Sequence, residues 1–221
     1  MTLKQLLDRK HIVFDVETFG LSGDAFALGA VLGEFVLSSD GTRVMWKELV
    51  SIAPTDVRVT RPWKFHDYGS KITPGHGNIA ALNDTTVATE VQRADFDWLE
   101  ANIPASVFDP KRLTGDLSIH EQFDAFARDY LVAGTEWWAE CPVPCEATFA
   151  REITQRLGPP WDTVKLPPMR DVASLADPLG VGDERPDDLL PAHDPLNDAR
   201  WSAERLRAAV QRLVRVKEHL R

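Results

Sequence analysis

The chain reads as an α/β protein, a sheet covered by helices, and the order of its patterns says so. The opening is strand-like and punctuated by turns, whereas from residue 118 helical stripes alternate with short apolar runs. Strands first, then helices alternating with short strands, is the order such a layered fold leaves in a sequence. A length of 221 residues, 43% hydrophobic and 27% charged, suits one domain spanning 1–221 with an irregular insertion at about 53–117.

Residues 1–10 form a short amphipathic helix carrying Leu3, Leu6 and Leu7, without the long apolar centre of a signal peptide. Residues 10–16 make the first strand. After the turn Gly20-Leu21-Ser22-Gly23-Asp24, residues 26–37 make a second, and Ser38-Ser39-Asp40-Gly41-Thr42 is a hairpin turn by its residue types. Residues 44–52 return as a third, so the opening is a three-stranded antiparallel meander.

The insertion carries prolines at 54, 62, 74, 104 and 110 and one helix at about 84–101. So much irregular sequence reads as a lid or binding loop rather than core. Trp63, Phe65, His66 and Tyr68 crowd one part of it, where they either stack on nucleobases or form a small core of their own.

From Ser118 regular structure resumes. Ser118 with Glu121 is a capping box. Phe123, Phe126, Ala127, Tyr130 and Leu131 fall on one helical stripe, which Gly134 ends. Residues 135–139 are a short strand with two tryptophans, 145–157 a helix closed by Gly158-Pro159-Pro160, and 169–172 a further strand. Residues 178–195 read as polar loop. The final helix covers 197–220, with Leu206, Val210, Leu213 and Val214 on one side.

The formal charge of −9 argues against a broad, sequence-independent grip on duplex nucleic acid, which needs many Lys and Arg contacts to phosphate. It leaves room for an enzyme that holds a few nucleotides at a metal centre, where bound divalent ions neutralise acidic side chains. No apolar run approaches a membrane span. Two cysteines, Cys141 and Cys145, fit a reducing compartment, and the cytoplasm is the expected location. A single Cys-x3-Cys pair without nearby histidines is short of the four ligands of a structural zinc site, so free thiols are expected. No Gly-x-Ser-x-Gly elbow, Gly-x-Gly-x-x-Gly turn or Walker loop is present.

The chemistry begins at His11-Ile12-Val13-Phe14-Asp15-Val16-Glu17-Thr18. Side chains two apart on a strand share a face, so Asp15 and Glu17 point the same way from a strand end. Two carboxylates so close repel unless a cation lies between them; the bland alternative is an exposed strand end with two solvated acids. The second stretch is Pro191-Ala192-His193-Asp194-Pro195-Leu196-Asn197-Asp198-Ala199-Arg200. It sets an imidazole, His193, on a loop above a carboxylate, Asp198, in the first turn of a helix. Here the alternative is that Asp194, Asn197 and Asp198 cap the helix while His193 lies at the surface.

Phe14-Asp15-Val16-Glu17-Thr18, followed late in the chain by His-x4-Asp and Ala-Arg, resembles the DEDDh 3′–5′ exonucleases. That superfamily includes proofreading exonuclease domains, oligoribonuclease and ribonuclease T, and the resemblance covers most of the chain apart from 53–117. It implies a ribonuclease H-like mixed sheet, in which parallel strands follow the antiparallel opening and helices flank both. It also implies a third acid in mid-chain, where the matching segment is Trp137-Trp138-Ala139-Glu140-Cys141-Pro142-Val143-Pro144-Cys145-Glu146-Ala147-Thr148-Phe149. Strict counting puts the family's aspartate column on Cys145, with Glu146 adjacent. Pro-x-Glu-Ala-x-Phe resembles a bacterial branch of uncharacterised exonuclease-like proteins, in which Glu146 would take the metal role. The alternatives are Glu140 or no third ligand.

What the resemblance implies is a two-ion site for Mg²⁺ or Mn²⁺, hard cations that prefer oxygen ligands. Asp15 would bridge both ions, Glu17 and Asp198 would hold the one on the side of the attacking water, and Glu146 would orient the second. His193 would accept the water's proton, as suits a group with an ordinary pKa near 6.5. Thr18 would face the terminal nucleotide, and Phe14 or Leu21 would pack under a base. The expected activity is release of nucleoside 5′-monophosphates from single-stranded RNA or DNA 3′ ends. Self-association is left open. The alternative from another class is a catalytically silent module of the same fold that binds nucleic acid or a protein partner through 53–117.

Overall fold

The computed structural model describes residues 2–18, 25–56, 59–60, 64–65, 98–99, 101–114, 117–131, 134–157 and 169–219. A five-stranded mixed sheet runs through it, built from β1 (Lys10–Thr18), β2 (Ala25–Leu37), β3 (Val44–Ile52), β6 (Glu136–Ala139) and β7 (Met169–Asp171). Its order is β3-β2-β1-β6-β7. The first three strands pair antiparallel as the hairpin turn demands, whereas β6 joins β1, and β7 joins β6, in parallel. Two short strands, β4 (Val59–Thr60) and β5 (Lys64–Phe65), pair separately in a small hairpin.

The helices are α1 (Leu3–Asp8), α2 (Ile119–Leu131), α3 (Cys145–Leu157), α4 (Val172–Ala176) and α5 (Pro195–His219). α1 is shorter than expected because Arg9 is already extended and Lys10 opens β1; the Thr2–Gln5 capping box fixes its start. The Ser118–Glu121 box is formed, with the Ser118 N–H donating to Glu121 Oε2 at 2.7 Å and the Glu121 N–H to Ser118 Oγ at 3.3 Å. Val172, expected to end a strand, begins α4 instead. Asp171 caps that helix by accepting from the Ala173 N–H. The stretch 178–195 is not wholly loop, since it contains single 3₁₀ turns at Asp177–Leu179 and Asp187–Leu189.

Strand alternation sends successive side chains to opposite layers. Ile12, Phe14 and Val16 of β1, with Leu28, Ala30 and Leu32 of β2, pack under α2 and α3, meeting Phe123, Phe149 and Ile153. Val13 and Val31 face the other way, toward α1, α4 and α5, where Ala199, Ala203 and Leu206 are buried. Each large apolar side chain removed from water on either face stabilises the fold by about 1.5–3 kcal/mol. Gln211 of α5 ties the β3 edge down, accepting from the Val44 N–H at 2.7 Å and donating to Thr42 O at 2.8 Å.

The described ends of the insertion are stitched to the sheet at Thr55, which bridges Ala27 on one side and Leu113 on the other. Its N–H donates to Arg112 O at 2.7 Å and its hydroxyl to Val107 O at 2.5 Å. Of the expected helix at 84–101, only Trp98, Leu99 and Ala101 are described, and they are helical, as is Asn102. Trp63, His66 and Tyr68 and the side chain of Phe65 lie outside the described residues. Among the described residues no helix is long and apolar enough to cross a membrane.

Candidate metal centre

Strand β1 pairs with β2 along its whole length but with β6 only from His11 to Val13. Its C-terminal half therefore runs on past β6, and the backbone edge left there is met by α3. The Glu146 carboxylate, in the first turn of α3, accepts a hydrogen bond from the Val16 backbone. On the other side of the sheet α5 comes down against β2 at Gly29, the residue opposite Asp15 in the register. A Cβ on Gly29 would sit 2.0 Å from the Pro195 carbonyl carbon. Only glycine lets the helix start that close, and the helix start carries Asp198.

The outcome is a cleft of about 330 Å³ lined by Asp15, Glu17, Glu146, His193 and Asp198, together with Glu140, Arg185 and Trp201 among others. It opens beyond the carboxyl ends of the parallel strands, where open α/β sheets take their ligands. Glu17, Glu146 and Asp198 are buried, and Asp15 is half-buried on the floor.

Burial raises all four acids, and two of them are raised further by the charges of their neighbours. Asp15 is pushed well above the usual carboxylate range by burial, and further by the charges of Glu17, Asp198 and Glu146. Glu17 rises in the same way, through burial and then the charges of Asp198, Glu146 and Asp194. Burial lifts Glu146 to about 7 despite its backbone hydrogen bonds. Asp198 also rises through burial, against the opposing pull of Arg185 and of the His193 N–H. Carboxylates raised by burial and mutual repulsion are those a bound cation would return to the ionised form.

Glu17, His193 and Asp198 each offer a ligand atom within 4.8 Å of one another. The carboxylate oxygens of Glu17 and Asp198 suit a hard divalent ion such as Mg²⁺ or Mn²⁺. Asp15 and Glu146 stand next to this group and complete a set of four carboxylates, so the residues present fit the expected ions. Neither Cys141 nor Cys145 belongs to such a group among the described residues, and neither forms a disulfide.

His193 has a left-handed backbone, φ 59°. This turns its N–H onto Asp198 Oδ2 at 3.0 Å while its Nδ1 approaches Glu17 Oε1 at 3.8 Å. The ring meets Trp98 edge-on at 4.9 Å. Of the three residues that would cap α5, Asp194 does so: its side chain accepts from the Leu196 N–H and its carbonyl from the Asp198 N–H. Its carboxylate also takes Ser106 Oγ at 2.9 Å and Arg112 Nη1 at 2.9 and 3.0 Å. Asn197 donates instead to Leu190 O.

The remaining expectations fare differently from one another. Phe14 is fully buried against Phe123, Trp137 and Phe149, on the face of β1 opposite Asp15, so it cannot pack under a base at this cleft. Thr18 sits at the strand end, with its hydroxyl 3.5 Å from Cys145 Sγ. Leu21 lies outside the described residues. Glu140 lines the cleft but pairs with Arg205, and its Oε2 is buried with no hydrogen-bond partner among the described residues.

Three cleft-side residues were not anticipated: Arg185, Trp201 and Arg205. Arg185 pairs with Asp198 and lies 4.8 Å over the Trp201 ring; Arg205 is 5.2 Å from that ring and also holds Asp177 at 2.5 Å. Trp201 was within reach of helical periodicity, being three residues after Asp198 on the same helix. Nothing in the local sequence marks Arg185. No protein-family model matches the chain, and no curated protein matches it.

Proposed function

We propose that this chain is a metal-dependent 3′–5′ exonuclease of the DEDDh type on a ribonuclease H-like fold, releasing nucleoside 5′-monophosphates from single-stranded nucleic acid. The observation that carries the reading is the convergence of Asp15, Glu17, Glu146 and Asp198, from three separate elements, on one cleft beside His193. Carboxylates raised by burial within one cleft are the kind of perturbed group that functional sites gather.

Bound divalent ions supply an acidified water and stabilise the leaving oxygen of the phosphodiester. Asp15, Glu17, Glu146 and Asp198 would hold them. His193, half-exposed, would take the proton as a water oxygen attacks phosphorus and the P–O3′ bond breaks. Its N–H bond to Asp198 fixes where the ring sits relative to the acids.

The test is digestion of a 5′-labelled single-stranded oligonucleotide with Mn²⁺, Mg²⁺ or EDTA. The expected result is a metal-dependent ladder shortening from the 3′ end, absent for Asp15→Asn, which keeps the wild-type circular dichroism. Wild-type protein that yields no metal-dependent product, or Asp15→Asn protein that cleaves as fast as wild type, overturns the reading. The silent-module alternative draws on the Arg185–Asp198 ion pair, which satisfies one acid without a metal. Oligonucleotide binding without metal-dependent cleavage would select it.

A further inference from the structure

Among the described residues Arg185 is the one arginine lining the cleft, and it arrives on a segment that supplies none of the four acids. Its guanidinium pairs with Asp198, donates to Leu189 O at 3.4 Å and rests on the Trp201 ring. Its side chain is only 16% exposed, so this cation is largely enclosed with the carboxylates. Glu140, the fifth acid lining the cleft, already has Arg205.

Charge decides what Arg185 is for. Asp15, Glu17, Glu146 and Asp198 carry four negative charges when ionised, and two divalent ions cancel them. Asp198, were it to hold an ion, would no longer attract the guanidinium, and the ion's own charge would repel it. Arg185 is then an uncompensated positive charge inside the cleft, and a phosphodiester linkage carries one negative charge. The guanidinium fork matches two phosphate oxygens, which an ammonium cannot do. Contact with the Trp201 ring keeps the fork in the cleft after Asp198 is lost to it.

We propose that Arg185 exchanges partners: it holds Asp198 in the metal-free protein and, once divalent ions occupy the acids, clamps the phosphate of the substrate's terminal nucleotide. This rests on the metal-dependent nuclease reading, but its two halves are measurable without turnover.

Calorimetric titration with Mn²⁺ alone reads the first half. Arg185→Gln should bind Mn²⁺ several-fold more tightly than wild type, since the ion no longer displaces a guanidinium, and Arg185→Lys should bind it as wild type does. Binding of a nucleoside 5′-monophosphate in saturating Mn²⁺ reads the second half. There Arg185→Gln should lose about tenfold or more, the usual loss for a charge-assisted hydrogen bond, and Arg185→Lys should recover part of it. Thermal unfolding of both variants shows that each is folded. Mn²⁺ binding by Arg185→Gln that is unchanged or weaker, or monophosphate binding unchanged from wild type, overturns the proposal. A wild type that binds Mn²⁺ and monophosphate but never cleaves an oligonucleotide removes the nuclease reading alone, and the two titrations still judge Arg185.

Discussion

Gly29→Ala tests most directly how the sheet carries the cleft. Gly29 faces Asp15 across the β1–β2 ladder, and a methyl group there would lie 2.0 Å from the Pro195 carbonyl carbon, 2.1 Å from its oxygen and 2.2 Å from the Leu196 nitrogen. All three are backbone atoms at the start of a 25-residue helix, so no side-chain rotation relieves the clash. Carbon contacts settle at about 3.5–4.0 Å, which requires the helix start to withdraw by roughly 1.5 Å or β2 to buckle. Overpacking of this kind costs about 1–3 kcal/mol, and each kcal/mol lowers the melting temperature of a domain this size by about 2–4 °C. Asp198 withdraws with the first turn, and a misplacement of ~1 Å costs on the order of 100-fold in rate. The assays are thermal unfolding, Mn²⁺ titration and oligonucleotide turnover. The expected protein is folded, melts several degrees lower, binds Mn²⁺ more weakly and turns over on the order of 100-fold more slowly. An alanine variant with wild-type melting temperature and Mn²⁺ affinity would refute the close-approach argument.

Three further outcomes are expected. Because the folded protein raises Glu146 from an ordinary 4.5 to about 7, the folded state binds the extra proton between those values. The metal-free protein should therefore lose stability as pH rises from 4.5 through about 7, and Glu146→Gln should flatten that part of a melting-temperature profile taken in EDTA; an unaltered slope would place the titration elsewhere. His193→Ala should lower the rate at saturating Mn²⁺ while leaving Mn²⁺ affinity near wild type. The reverse pattern would make His193 a ligand rather than the base. Asp194→Ala should cost about 3 kcal/mol by denaturant unfolding, because it strips Arg112 of a buried partner. A loss under about 1 kcal/mol would show that ion pair to be dispensable.

The strands were legible because alternation and turn residues are local signals. Val44–Ile52 and Cys145–Leu157 end where their flanking turns and prolines indicate. Asp15 and Glu17 were legible for the same reason, their two-residue spacing. Phe14 shows that rule applied inconsistently: the period that puts Asp15 beside Glu17 also puts Phe14 behind the sheet, and adjacency in sequence concealed it. Glu146 came from resemblance, and its hydrogen bond to Val16 depends on β6 being too short to cover β1, which no local pattern states. Arg185 was out of reach, since its place over Asp198 is set by how a stretch of single turns folds back across the start of α5. The α4 helix was missed because five residues hold too little of a 3.6-residue period to register.

The left-handed backbone at His193 says something about the demands this chain has met. That conformation costs an L-residue about 1–2 kcal/mol, and glycine would adopt it freely. The imidazole fills no hole in the core and is half open to water, so folding gains little from it. A chain selected for stability alone would drift to glycine at this position. That it holds a histidine there, with Nδ1 3.8 Å from Glu17, marks a place where strain is carried at the cleft rather than relieved, and Cys141, at φ 47° on the same cleft, is a second.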